Sequence, residues 1–177
     1  MTDERPVVTI FGTSKSKPGQ EAFEIAFRLG RELAMAGFSI ANGGYGGTML
    51  ASAQGAREAG GEVIGVTCTA FGRSGPNPFV SREIKTHSLQ ERLARLVELG
   101  RAFVVLPGGT GTLLELAEVW ELKNKRLAGQ GKPIIIWRSY WEPLVELMRS
   151  ADPDCVASIH PADSVEAVLN TLESVRA

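Results

Sequence analysis

The apolar positions of this chain alternate between two kinds of run. Residues 7–11, 38–42, 62–67, 102–106 and 133–137 are short and almost continuously apolar. Runs without polar alternation predict strands of a parallel sheet covered on both faces. Between them lie segments of helical period. From residue 20 to 35, Phe23, Ala26, Phe27, Gly30, Leu33 and Ala34 line one face, and Gly37 supplies the stop. Residues 48–58 form a second helix, whose Ala51, Ala53, Gly55 and Ala56 allow close packing on a neighbour. A third runs over 89–100 behind Ser88, a good N-cap. A fourth ends near Lys125, with Leu113, Leu116, Ala117, Trp120 and Ala128 on its apolar side. Another begins at residues 141–148, a short strand is expected at 157–160, and 163–175 reads as an amphipathic terminal helix. Residues 70–86 carry Gly72, Gly75, Pro76 and Pro78 without any period, which predicts a long loop of the kind that covers sites. Strands alternating with helices imply an α/β fold, a doubly wound and mostly parallel sheet with helices on both faces and ligands at the carboxyl ends of its strands.

Two strand-to-helix turns at that edge are rich in glycine. The sharper one is Pro107-Gly108-Gly109-Thr110-Gly111-Thr112-Leu113-Leu114-Glu115. Its glycines let a ligand approach the main chain, and the amides of the helix that follows, with the helix dipole, favour a negative group such as a nucleotide phosphate. The same residues admit a purely structural reading. Thr112 can cap the helix, and Thr112-x-x-Glu115 is also the pattern of a capping box. The second turn is Gly43-Gly44-Tyr45-Gly46-Gly47-Thr48-Met49, where Tyr45 either lies against a base or sugar or packs the loop onto the body. After the first strand, Gly12-Thr13-Ser14-Lys15-Ser16-Lys17 offers hydroxyls and amines that either meet a phosphate or form a solvated turn.

Charge and composition narrow the partners. With 177 residues at 44% hydrophobic content, one domain over 1–177 is expected. Lys and Arg number 19 against 20 Asp and Glu. That balance gives no general attraction to nucleic acid or to an anionic membrane, so any anion site must be local. No apolar run approaches the roughly 20 residues that span a bilayer. Residues 1–6 lack the apolar segment of a signal peptide, and a cytoplasmic protein is expected. Cys68 and Cys155 are too few for a disulfide framework, His87 and His160 stand alone, and no metal site is expected.

One charge stands out on the helix over 89–100. At about 100° per residue, Leu93, Leu96, Val97 and Leu99 fall on one face with Leu89, and Arg92 falls between Leu96 and Leu99. A charge on an apolar face needs a partner, here a carboxylate or a bound anion. No G-x-G-x-x-G fingerprint opens the chain, and neither a P-loop nor a G-x-S-x-G elbow occurs, which disfavours classical hydride transfer, ATP hydrolysis and serine hydrolysis.

The Pro107–Glu115 stretch resembles the PGGxGTxxE signature of the LOG (“Lonely guy”) family of nucleotide phosphoribohydrolases, a Rossmann-like group. Gly43 to Met49 resembles that family's GGGxxGLM segment, and Gly12-Thr13-Ser14 its first-strand loop. The similarity covers roughly residues 7–150. It implies cleavage of the N-glycosidic bond of a nucleoside 5′-monophosphate, such as a cytokinin riboside monophosphate or AMP, to free base and ribose 5-phosphate. It further implies a catalytic pair of Arg92 and Glu115. Phosphate and nucleotide contacts are expected at Gly12, Thr13 and Ser14, at Gly43, Gly44, Tyr45, Gly46, Gly47 and Thr48, and at Pro107, Gly108, Gly109, Thr110, Gly111 and Thr112. The resemblance also implies a homodimer that needs no metal or organic cofactor. Three positions depart from the pattern: Leu93 stands in place of the family lysine, Leu89 in place of its methionine and Asn42 where glycine is usual. The alternative is a non-catalytic carrier similar to the molybdenum-cofactor carrier proteins. A lysine-decarboxylase label has also been attached to this superfamily, but no lysine here sits in a recognisable pyridoxal phosphate site.

Overall fold

The computed structural model describes residues 5–128 and 131–173. The five apolar runs become β1 (Val7–Phe11), β2 (Ser39–Asn42), β3 (Val63–Cys68), β5 (Ala102–Val105) and β6 (Ile134–Trp137), with β7 (Ile159–Ala162) after them. A further strand, β4 (Arg82–Thr86), lies within the stretch expected to be loop. Its sequence, Arg-Glu-Ile-Lys-Thr, hid it. β4 pairs only with β3, at the sheet edge, where exposed positions take charges and the apolar-run signal of a central strand is lost. The preceding residues Thr69–Phe71 form a single 3-10 turn.

All neighbouring strands run parallel, in the order β4-β3-β2-β1-β5-β6-β7. The helices are α1 (Glu21–Met35), α2 (Thr48–Glu58), α3 (Leu89–Leu99), α4 (Thr110–Asn124), α5 (Arg138–Ala151) and α6 (Val165–Leu172). One core is built from Phe23, Leu29 and Leu33 of α1, the alanines of α2 and Val165, Val168 and Leu172 of α6. The other takes Leu96 and Val97 of α3, Leu116, Val119 and Trp120 of α4, and Trp141 and Val145 of α5. The sheet is therefore doubly wound. Its direction of winding reverses between β1 and β5, and the crevice of such folds opens beyond the carboxyl ends of the strands at this reversal.

Several boundaries differ from expectation. α5 starts at Arg138, three residues before Trp141, and β7 and α6 start two residues later than expected. Ser164 caps α6, its hydroxyl accepting from the Ala167 amide at 3.1 Å. Residues 174 and 175 of the expected helix lie outside the described residues. On α4 the buried side is Leu116, Val119 and Trp120, whereas Leu113 and Ala117 are exposed. The capping box that Thr112 and Glu115 admit by spacing is absent: α4 begins at Thr110, so Glu115 lies too deep in the helix to reach its first amides, and no side chain caps it. A reciprocal cap occurs on α3 instead. Ser88 Oγ accepts from the Glu91 amide at 3.1 Å, and the Glu91 carboxylate accepts from the His87 amide at 2.7 Å.

α1 and α2 cross closely, backbone against backbone. A Cβ on Gly55 would lie 2.0 Å from the Phe27 carbonyl oxygen. Gly→Ala inside a helix ordinarily stabilises by up to about 1 kcal/mol. Here the sign should invert, with Gly55→Ala losing about 1–3 kcal/mol in urea unfolding as the helices are forced apart. A neutral or stabilised variant would show that the crossing is not a constraint.

Candidate active site

The turns after β1 and β5 meet at the winding reversal. The Thr13 amide donates to the Pro107 carbonyl at 3.2 Å, and the Thr48 amide and hydroxyl both donate to the Thr13 carbonyl, at 2.9 and 3.1 Å. The three carbonyls that precede α4 are all engaged by protein donors: Trp141 Nε1 bonds Leu106 O at 3.1 Å, Thr13 N bonds Pro107 O, and the Tyr140 hydroxyl bonds Gly108 O at 2.7 Å. No side chain caps the start of α4, so its first amides have no side-chain partner.

Beside α4 lies a cavity of about 400 Å³. Small-ligand sites start at about 300 Å³. Its walls come from five places: Gly12 to Lys15 after β1, Gly109 to Thr112 with Leu114 and Glu115 at the start of α4, Leu89, Arg92 and Leu93 on α3, Tyr45 and Met49 around the start of α2, and Phe71 and Arg73 after β3. A larger open groove of about 1040 Å³ runs along the amino edge of the sheet. Three of its cations are occupied with structure: Arg57 bonds Gly61 O, Lys132 bonds Val97 O at the end of α3, and Arg82 pairs with Glu62. Helix carboxyl termini converge there and their dipoles repel an anion, so size does not make it the site.

The expected pair comes together. Arg92 is 6% exposed and Glu115 9%. Arg92 Nη1 donates to Glu115 Oε1 at 3.2 Å and Nε to the Val66 carbonyl at 2.9 Å. Gly43 makes the room, because a Cβ there would stand 1.8 Å from Arg92 Nη2. The Phe71 ring lies 5.6 Å from the guanidinium. Burial pushes the Glu115 carboxyl up to about 7, against the opposing pull of Arg92.

The other expected contacts divide into two groups. Gly12, Thr13, Ser14, Tyr45, Gly109, Thr110, Gly111 and Thr112 line the cavity. Gly43, Gly44, Gly46, Gly47, Thr48, Pro107 and Gly108 are not among its wall residues. The second glycine turn is mostly scaffold: Gly47, at φ +65°, packs against Thr13 O, where a Cβ would stand 2.2 Å away. Asn42 organises this turn from within, donating to Met49 O and Ser52 Oγ and accepting from the Gly44 amide. Tyr45 packs the loop onto the body through its hydroxyl, which is tied to the Cys68 backbone, and the residue also lines the cavity. Met49, Phe71 and Arg73 were not expected as wall residues. Met49 closes the second glycine turn in the sequence, and the aperiodic stretch around 71–73 gives no signal.

The fold and this site define a doubly wound α/β protein with a buried Arg–Glu pair beside an uncapped helix start. Comparison with known proteins carries this further. Residues 49–172 match the family described as possible lysine decarboxylase, and the chain belongs to that family, the LOG family. The cytokinin riboside 5′-monophosphate phosphoribohydrolase of Rhodococcoides fascians is 31% identical over 150 residues, 81% of this chain and 74% of that protein. The Mycobacterium tuberculosis protein of the same name is 32% identical over 126 residues, 66% of this chain and 62% of that one. The X-ray structure of TM1055 superposes with a TM-score of 0.78 at 29% identity, covering 95% of this chain and 98% of that chain. The molybdenum cofactor binding protein of Rippkaea orientalis shares the fold, with a TM-score of 0.78 at 23% identity and coverage of 98% and 99%. The decarboxylase description does not fit the cavity. Its lysine, Lys15, is exposed at the rim rather than held in the apolar surroundings that activate a Schiff-base amine. Among the described residues, no helix is long and apolar enough to cross a membrane.

The raised Glu115 pKa has a consequence for stability. Between its ordinary value of 4.5 and about 7, the folded protein holds a proton that the unfolded chain releases. This group's contribution is thus complete below about 4.5 and is lost as pH rises through about 7. Glu115→Gln removes the effect. In urea unfolding, wild type should lose stability relative to the variant across that window, and a constant difference would overturn the assignment.

Proposed function

We propose that the protein is a nucleoside 5′-monophosphate phosphoribohydrolase, cleaving the N-glycosidic bond of a cytokinin riboside monophosphate or AMP. The buried Arg92–Glu115 pair, facing a cavity at the start of α4, carries this reading. As the base departs, positive charge develops on the ribose ring. A fixed carboxylate stabilises that charge or orients the attacking water, in the way glycosidases use a carboxylate. Arg92, fastened to Val66 O, holds the carboxylate in place, while burial holds its pKa near the working pH. The amides at the start of α4 and the Thr112 hydroxyl are the proposed phosphate donors. The curated relatives named as phosphoribohydrolases support the reading.

A homodimer is part of the proposal. Leu113 and Leu114 on α4 are 38% and 41% exposed, next to the proposed cradle, as is Tyr140 at 49% on α5. Light scattering coupled to gel filtration should give twice the mass of the 19.0 kDa chain.

Incubation with a panel of nucleoside monophosphates should release free base and ribose 5-phosphate, with kcat/KM rising through a pKa near 7 as Glu115 ionises. Glu115→Gln keeps the shape and a hydrogen-bond acceptor for Arg92, and should lower kcat by about 100-fold or more. Full activity in that variant would refute the catalytic role. Tight binding of a pterin phosphate with no turnover of any monophosphate would favour the carrier alternative.

A further inference from the structure

We propose that Arg73 binds the 5′-phosphate of the substrate and sets the preference for phosphorylated over unphosphorylated nucleosides. The inference rests on the phosphoribohydrolase reading, and it begins from charge balance. A phosphate monoester carries about −1.5 to −2 at neutral pH, whereas a helix start offers only about half a positive charge. Arg92 is spent on Glu115 and Val66 O. The remaining cations on the cavity wall are Lys15 and Arg73.

Arg73 is the better placed of the two. Its guanidinium carbon stands 4.7 Å from the centroid of the Tyr45 ring, and no described residue accepts a hydrogen bond from it or pairs with its charge. The ring below is fixed. Tyr45 Oη accepts from the Cys68 amide at 2.9 Å and donates to the Cys68 carbonyl at 3.2 Å. The segment that carries Arg73 is clamped to the same turn, because Asn77 donates from its amide to Gly44 O at 2.7 Å and from Nδ2 to Tyr45 O at 2.9 Å. A planar fork held over an aromatic face with its donors unspent is preorganised for bidentate contact with a phosphate. Lys15, exposed and without such a support, offers a point charge on a flexible stem.

The competing account is an arginine that merely packs a surface loop onto Tyr45. Arg73→Gln separates the two, since Arg73 is exposed and the substitution leaves no buried group unpaired. Titration calorimetry with ribose 5-phosphate should show at least a tenfold loss of affinity, about the worth of one charge-assisted contact. With AMP, KM should rise by a similar factor while kcat stays within about threefold. Affinity for adenosine should not change, and Arg73→Lys should recover part of the loss. Wild-type affinity for ribose 5-phosphate in Arg73→Gln overturns the proposal, as does an equal loss toward adenosine or a lowered Tm with unchanged affinity. If wild type cleaves no nucleoside monophosphate, the phosphoribohydrolase reading fails, and the ribose 5-phosphate titration still decides the role of Arg73.

Discussion

The buried ion pair between Arg92 and Glu115 constrains more of this molecule than any other contact. Taking two charges out of water costs several kcal/mol for each, and the cost is recovered only where geometry and additional hydrogen bonds are supplied. The supply comes from four elements at once. α3 provides the arginine, α4 the carboxylate, β3 the carbonyl of Val66, and the turn after β2 the space left by the missing Cβ of Gly43. Losing any of these leaves a buried charge without its partner. The glycine turn after β2 is thus tied to the pair through the space that Gly43 leaves for the guanidinium.

The sheet's winding explains why the pair faces a cavity. Because β1 lies between β2 and β5, the turns after β1 and β5 diverge to opposite faces and leave a crevice between them. Thr13 crosses it, bonding Pro107 on one side and Thr48 on the other, which fixes the width of the opening. The wider groove at the opposite edge has no equivalent. There the helices end rather than begin, and two of its cations, Arg57 and Lys132, are drawn to carbonyls of the chain itself.

Much of this was legible in the sequence because the signals were local. Continuous apolar runs marked the central strands, and the angular position of Arg92 on its helix required an anionic neighbour, which is Glu115. Three features were illegible. β4 gains its stability from one neighbouring strand and faces solvent, so its charged sequence carries no strand pattern. Glu115 fits a capping box by spacing alone, but spacing does not say where the first turn of α4 begins, and a start at Thr110 moves Glu115 out of reach of the cap. Phe71 and Arg73 belong to the cavity only because Asn77 and Tyr45 fold their segment over it, a long-range arrangement without a periodic trace.

An anion cradle made of backbone has a requirement that glycine alone does not meet. Each peptide carries an acceptor as well as a donor, and a carbonyl turned toward a phosphate would cancel the attraction of a neighbouring amide. In this chain the three carbonyls before α4 are each taken by a different donor, from the indole of Trp141, the amide of Thr13 and the hydroxyl of Tyr140. Two of those donors stand in the first turn of α5, which begins earlier than its sequence suggests and so brings both side chains behind the turn. The polarity of the proposed cradle is set from outside the signature. Preorganisation of this kind is what makes fixed dipoles effective, since nothing has to turn when the charge arrives.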